Sequence, residues 1–194
     1  MNSSATYTGF ALAREMMETP GTIRSFRLQE TGETAEKIKK SGKLFLTGEG
    51  SSRIFPAKNA MRWNLSRGFG LSISSEGSRQ ASEYNLDDYI VFGASNSGRT
   101  KEVIALFEHL RRKGHGNLFG LTANRGTVLE SLCTRTFVLS CGKEEAVAAT
   151  KSVVEQALFY QSLLFSLAGV NLDVGSLADA FDEALTLRLP EELV

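Results

Sequence analysis

The sequence predicts an α/β protein, a three-layer α/β/α sandwich around a five-stranded parallel sheet. Three observations carry that expectation. From about residue 43 onward, short apolar runs alternate with longer amphipathic ones, the pattern of parallel strands joined by crossover helices. The 194 residues suffice for one substantial domain and are too few for two ordinary ones. A hydrophobic fraction of 42% beside a charged fraction of 23% is that of a folded globular chain, not a disordered one.

Two helices open the chain. The first, Thr8 to Glu18, stops before Pro20, which cannot continue a helix. The second runs from about Thr22 to Lys40, amphipathic through Ile23, Phe26 and Ile38. Alternation then begins with strand Lys43–Thr47, helix Ser52–Arg67, strand Phe69–Ile73 and a short helix near Arg79–Glu83. It continues with strand Tyr89–Phe92, helix Thr100–Lys113, strand Leu118–Thr122, helix Thr127–Leu132 and strand Thr136–Leu139. A long helix, Val147 to Ala168, and a last one, Ser176 to Leu187, complete the series. Residues 1–41 read as an N-terminal helical segment that packs on the domain or on a partner, residues 42–187 as the domain, and residues 188–194 as a tail.

Charge and composition exclude several functions. Twenty-two basic residues balance twenty-two acidic ones, so no broad cationic field is available for nucleic acid or an anionic membrane, and neither is an expected partner. The longest apolar stretch, Ala157 to Val170, is interrupted by Tyr160, Gln161, Ser162 and Ser166. It is too short and polar for a bilayer span and reads as a core helix. The first ten residues lack the basic start and apolar run of a secretory signal, so a cytoplasmic location is expected. Cys133, Cys141, His109 and His115 have no metal-ligand spacing, so neither a metal site nor a disulfide framework is expected. The histidines read as solvated and the cysteines as packing residues.

In parallel sheets, ligands bind beyond the carboxyl ends of the strands, so the segments after each strand carry the functional reading. After the first strand comes Gly48-Glu49-Gly50-Ser51-Ser52-Arg53. Its glycines permit close backbone approach, and Ser51 and Ser52 are suited to capping the helix or donating to a ligand. A plain βα turn explains the same residues. After the third strand, Gly93-Ala94-Ser95-Asn96-Ser97-Gly98-Arg99-Thr100 leads into a helix. Hydroxyls of Ser95, Ser97 and Thr100, backbone amides of Asn96 and Gly98, and the positive helix end would hold a phosphate there. The loop has neither the Walker lysine nor the dinucleotide glycine spacing, so neither nucleotide hydrolysis nor hydride transfer has a motif. After the second strand, Glu83 is either a general base or a solvated helix glutamate. Ahead of the long helix, the small residues Ala146 to Ala149 leave room for backbone to approach a ligand, or Thr150 simply caps the helix.

Together these segments resemble the sugar isomerase (SIS) domain family, most of all the isomerase half of glucosamine-6-phosphate synthases and related phosphosugar isomerases. The similarity runs in order through Met16–Pro20 with Ile23-Arg24, Gly48–Ser52, Ala81-Ser82-Glu83-Tyr84, Ser95–Thr100 and Ala146–Lys151. The resemblance implies a flavodoxin-like or Rossmann-like sheet. It places phosphate on Ser95, Ser97 and Thr100, with Asn96 where the family usually has glutamine, and with Ser52 and Ser51 as further contacts. Val147 and Ala149 match positions that line the sugar, Ala149 replacing a serine. Glu83 falls roughly where some single-domain members keep their base. The closing residues look like the lead into a second SIS domain, as if this were the first half of a tandem protein.

The function expected from this likeness is isomerisation or deamination of a phosphorylated sugar or amino sugar, by proton abstraction alpha to a carbonyl, needing no metal or redox cofactor. The alternative is a non-catalytic sugar-phosphate-binding or regulatory module, or one half of a tandem-SIS protein. A homodimer or higher oligomer is expected. Phe10, Leu12, Met16, Met17, Phe26, Leu158, Phe159, Leu163, Leu164 and Phe165 offer more apolar helix surface than one sheet covers.

Overall fold

A computed structural model describes residues 9–187. Five parallel strands form the sheet: β1 (Lys43–Gly48), β2 (Ser72–Gly77), β3 (Ile90–Ala94), β4 (Leu118–Thr122) and β5 (Arg135–Val138). Their spatial order is β2-β1-β3-β4-β5, the doubly wound order of flavodoxin-like sheets. The helices are α1 (Ala11–Met17), α2 (Thr19–Ser25), α3 (Gly32–Ser41), α4 (Ser51–Arg67), α5 (Ser78–Ala81), α6 (Lys101–Arg112), α7 (Val128–Leu132), α8 (Lys151–Leu167) and α9 (Val174–Thr186).

Strand periodicity sorts the core into two layers, because alternate side chains leave opposite faces of the sheet. On one face Leu44, Leu46, Phe92, Phe119 and Phe137 meet Ile38 of α3, Ala57 and Ala60 of α4, and Phe159, Tyr160 and Leu163 of α8. On the other, Phe45, Val91 and Leu118 meet Ala81, Leu129 and the Val103–Leu106–Phe107–Leu110 stripe of α6. Phe92 is the aromatic centre of the first layer, with its ring centroid 5.2 Å from that of Phe119 and 5.7 Å from that of Tyr160.

Several sequence expectations change. Pro20 does not merely end the first helix; it lies in the first turn of α2, where a missing N–H costs nothing. The expected helix Thr22–Lys40 is two helices, α2 and α3, because the chain turns extended at Phe26. Within this interval the Gln29 amide nitrogen donates to the Val138 carbonyl at 2.6 Å and its oxygen accepts from the Val138 N–H at 3.4 Å, so Gln29 serves the open edge of β5. The second strand begins three residues later than expected. Asn64 bonds both the N–H and the carbonyl of Leu71, tying the 69–71 stretch to α4 before the chain enters the sheet. The long helix starts at Lys151, not Val147. The start expected for the first helix at Thr8, the first eight residues of the N-terminal segment and the tail 188–194 lie outside the described residues.

The apolar surplus is also smaller than expected. Phe26, Leu158, Phe159, Leu163, Leu164 and Phe165 are all buried within the chain, because α8 is covered by α2, α3 and α4, while α9 packs on α2. Phe10, Leu12 and Met17 remain exposed, joined by Ile54, Phe55 and Leu65 on the outer side of α4. No helix of the described residues is long and apolar enough to cross a membrane.

Candidate functional site

The sheet order reverses between β1 and β3, whose connections leave on opposite faces, and the crevice beyond such a switch point is where ligands bind. Gly48 and Ala94 are register partners at the carboxyl ends of these strands, so the β1–α4 and β3–α6 turns start side by side.

In the β1–α4 turn, Gly50 is the N-cap of α4, at φ 57° and ψ −135°, a conformation essentially reserved for glycine. Ser51 and Ser52 therefore do not cap the helix; they are its first two residues. Both are half-buried. Their hydroxyls and N–H groups, at a positive helix end, are free of partners among the described residues.

The β3–α6 turn is internally bonded. The Ser95 side chain, 2% exposed, is braced by Thr100: the two hydroxyl oxygens lie 2.8 Å apart and the Thr100 N–H donates to Ser95 Oγ at 3.3 Å. The Gly98 N–H, expected to face a phosphate, donates instead to the Ser95 carbonyl at 2.9 Å. Gly98 is needed for its shape: φ is +63°, and a Cβ there would stand 2.4 Å from that of Thr127. Ser97 is exposed and its Oγ accepts from the Arg99 N–H at 3.2 Å, leaving its own proton free. The N–H groups of Asn96 and Ser97 are likewise unengaged within the described residues. An open hollow of about 440 Å³ borders this loop through Arg99 but extends along α6 and α7 past Ile104 and Val128, away from β1.

Glu83 stands six residues past the end of β2, with α5 between them. It is exposed beyond the end of α5 and makes no side-chain hydrogen bond among the described residues. With β2 running through Gly77, the carboxylate at the strand's end is Glu76, which accepts from Arg53 Nη1 at 2.7 Å and from the Gly77 N–H at 2.9 Å. Glu49 of the first turn accepts from the Ser78 N–H at 3.0 Å.

Residues 143–150 form an irregular span at the start of α8. Val147 is fully exposed and Ala149 half-buried. The segment is organised by Glu144. One carboxylate oxygen accepts from the Thr150 N–H, the Thr150 hydroxyl and the Ser152 N–H at 2.9–3.0 Å; the other accepts from Asn96 Nδ2 at 3.0 Å and from the Ser152 hydroxyl. Burial acts to raise its pKa, but the Ser152 and Thr150 hydrogen bonds together outweigh that and hold the carboxyl below its usual range. Thr150 also reaches Glu15, a buried residue of α1 whose carboxylate accepts from the N–H groups of Glu145 and Ala146. Lys151 pairs with Glu18 at 2.5 Å, an ion pair that raises its pKa.

Sequence reasoning missed Glu144, Glu15, Arg53 and Glu76 because each has a side-chain partner between 6 and 135 residues away. The one available signal was the unusual glutamate pair beside an otherwise small-residue run. The histidines and cysteines stay outside the site: His115 bonds the Leu86 carbonyl at 2.9 Å, and burial pushes both thiols up to about 12, leaving them protonated. Among the described residues no group of three or more His, Cys, Asp or Glu converges as a metal site. The arrangement offers uncharged donors and two helix N-termini facing one crevice, a setting suited to an oxyanion with attached hydroxyls.

Comparison with curated proteins returned no significant match. Among solved structures, the chain resembles a candidate phosphosugar isomerase from Silicibacter pomeroyi DSS-3, with 23% identity, TM-score 0.75, and 93% of this chain covering 58% of that one. It also resembles the C-terminal domain of glucosamine-fructose-6-phosphate aminotransferase from Francisella tularensis, with 17% identity, TM-score 0.67, and 94% covering 54%. A third is the Vibrio vulnificus NanR protein complexed with ManNAc-6P, with 19% identity, TM-score 0.64, and 93% covering 70%. The chain thus spans little more than half the length of the first two. A family model described as SIS domain matches residues 37–166, well over half the sequence, and the chain belongs to the SIS domain family.

Proposed function

We propose that this protein binds a phosphorylated sugar or amino sugar and is of the phosphosugar isomerase or deaminase type. The observation that carries the reading is the pair of facing turns at the switch point, one prebuilt by Ser95 and Thr100, the other presenting unpartnered Ser51 and Ser52. In this reading the phosphate lies against the N–H groups of Asn96 and Ser97 and the Ser97 and Thr100 hydroxyls. Ser95 braces Thr100, and Gly98 sets the turn. The sugar extends toward Ser51, Ser52 and the Val147–Ala149 span. Phosphate binding far from the reacting carbons would hold a small substrate in a reactive pose. The argument that selected Glu83, a carboxylate at the end of the second strand, now selects Glu76, with Glu83 retained as the competing base.

A non-catalytic sugar-phosphate module is favoured by a different observation: Glu76 and Glu49, the carboxylates at this crevice, already accept hydrogen bonds from Arg53, Gly77 and Ser78. A second SIS domain, supplied by another copy of this chain in a homodimer or higher oligomer or by a separate partner, would complete the machinery. The exposed Ile54 and Phe55 in the first turns of α4, with Leu65 toward its far end, give such a partner an apolar surface. A cytoplasmic location fits metabolites of this class, and no nucleic acid, membrane or cofactor enters the scheme.

Calorimetric titration with phosphorylated hexoses, pentoses and their amino forms, against the unphosphorylated sugars, tests the reading. Binding only of the phosphorylated forms, weakened roughly 10-fold or more in Ser97→Ala, is expected for a charge-assisted contact. Equal affinity for the unphosphorylated sugars, or unchanged affinity in Ser97→Ala combined with Thr100→Ala, overturns it.

A further inference from the structure

We infer that Glu144 is a positioning residue that couples the phosphate loop to the segment facing the sugar, an inference that rests on the sugar-phosphate reading above. Asn96 is the only phosphate-loop residue whose side chain reaches this segment among the described contacts, and it does so through Glu144. On the other side the same carboxylate holds Thr150 and Ser152, fixing where α8 begins and therefore how the chain from Val147 to Ala149 is carried. The loop end of the link is itself anchored: the Asn96 carbonyl accepts from the Ala123 N–H at 3.0 Å and from Asn124 Nδ2 at 2.9 Å. One carboxylate thus spans two segments 48 residues apart in sequence. A phosphate that orders the Asn96 and Ser97 amides would, through it, order the sugar-facing span as well.

The geometry separates the two jobs of the carboxylate. The oxygen bonded to Thr150 and to the Ser152 N–H caps α8; the other meets Asn96 and the Ser152 hydroxyl. A glutamine at position 144 keeps an oxygen for the cap and turns a donor toward position 96. An aspartate at position 96 sets two carboxylates against each other and breaks the link while leaving in place the oxygen that accepts from the Thr150 and Ser152 N–H groups. The double variant Asn96→Asp/Glu144→Gln restores the link with donor and acceptor exchanged.

The test reads backbone amide NMR shifts without ligand in Asn96→Asp and in the double variant, and affinity for inorganic phosphate and glucose 6-phosphate in the wild type and Glu144→Ala. Asn96→Asp is expected to move the amides of both residues 95–100 and residues 147–152. The double variant is expected to return both sets toward their wild-type positions, and Glu144→Ala to weaken glucose 6-phosphate about 10-fold, the scale of one charge-assisted hydrogen bond. Shifts confined to residues 95–100, or a double variant that fails to restore them, overturn the coupling. Unchanged glucose 6-phosphate affinity in Glu144→Ala overturns its part in binding. If the wild type binds neither probe, the sugar-phosphate reading fails, and the ligand-free shifts still decide whether Glu144 couples the two segments. Should Glu144→Ala not fold, the other two variants, which leave the α8 cap in place, carry the decision.

Discussion

The two turns at the switch point start as neighbours and are built in opposite ways. The β3–α6 turn commits its polar groups: Ser95 to Thr100 and the Gly98 N–H to Ser95 within the turn, and the Asn96 amide to Glu144 ahead of α8. The β1–α4 turn spends less: Glu49 accepts from the Ser78 N–H and Gly50 sets the backbone shape, while the hydroxyls of Ser51 and Ser52 are unengaged among the described residues. A site that grips one ligand through both gains a rigid reference on one side and available donors on the other. Stability and binding are therefore expected to separate between the two turns.

The sharpest contrast is between their glycines. Gly98→Ala combines a left-handed backbone with a Cβ 2.4 Å from Thr127. It is expected to cost about 3 kcal/mol or more in urea unfolding and to abolish phosphate binding. Gly50→Ala meets open space and carries backbone strain alone, roughly 1–3 kcal/mol. Equal losses at the two positions would erase the distinction.

The serines come next. Ser95→Ala strands the Thr100 N–H and removes a buried hydroxyl pair, an expected loss of about 1–2 kcal/mol of stability together with ligand affinity. Ser51→Ala and Ser52→Ala should each leave stability within about 0.5 kcal/mol while weakening the ligand. Measuring chemical unfolding and titration on the same samples sets the two effects side by side.

Acid separates the turns again, since only the β3 turn leans on Glu144. Its carboxyl is held below its ordinary range by Ser152 and Thr150 against burial. Its contribution is therefore present above the unfolded carboxylate pKa and is lost as pH falls through the lower folded value. Unfolding free energy followed from pH 5 downward should fall less steeply in Glu144→Gln than in the wild type. The smallest effect is expected at Glu83, exposed and without a side-chain hydrogen bond among the described residues: Glu83→Gln should leave stability within about 0.5 kcal/mol. Glu76→Gln, which weakens the tie to Arg53, should cost more, about 1 kcal/mol. In any turnover assay the variant that loses about 100-fold names the base.

Much of this architecture was legible because hydrophobic period and turn residues are local properties. β4 lies where alternation puts it, and α6 differs from expectation by one residue at each end. The misses share a cause: a distant partner overrode the local pattern. Asn64 delayed β2, Gln29 drew the chain out of a helix toward β5, and Glu144 held residues before α8 in an irregular span. The Ser95–Thr100 turn was readable as a motif, but Ser95 as a brace and Gly98 as a shape residue were not, since both assignments depend on side chains and backbone meeting across the turn. The burial of Phe26 and the apolar residues of α8 has the same origin, because α2, α3 and α4, distant in sequence, return to cover α8.

Gln29 has a consequence for assembly. Its amide presents one donor and one acceptor to Val138, much as one residue of a sixth strand would, while belonging to a segment that goes on into α3. The β5 margin of the sheet is thereby plugged by a single side chain against recruitment of a foreign strand. Strand addition at the β5 margin would have to evict that glutamine first, which leaves β2 as the margin without such a plug among the described residues.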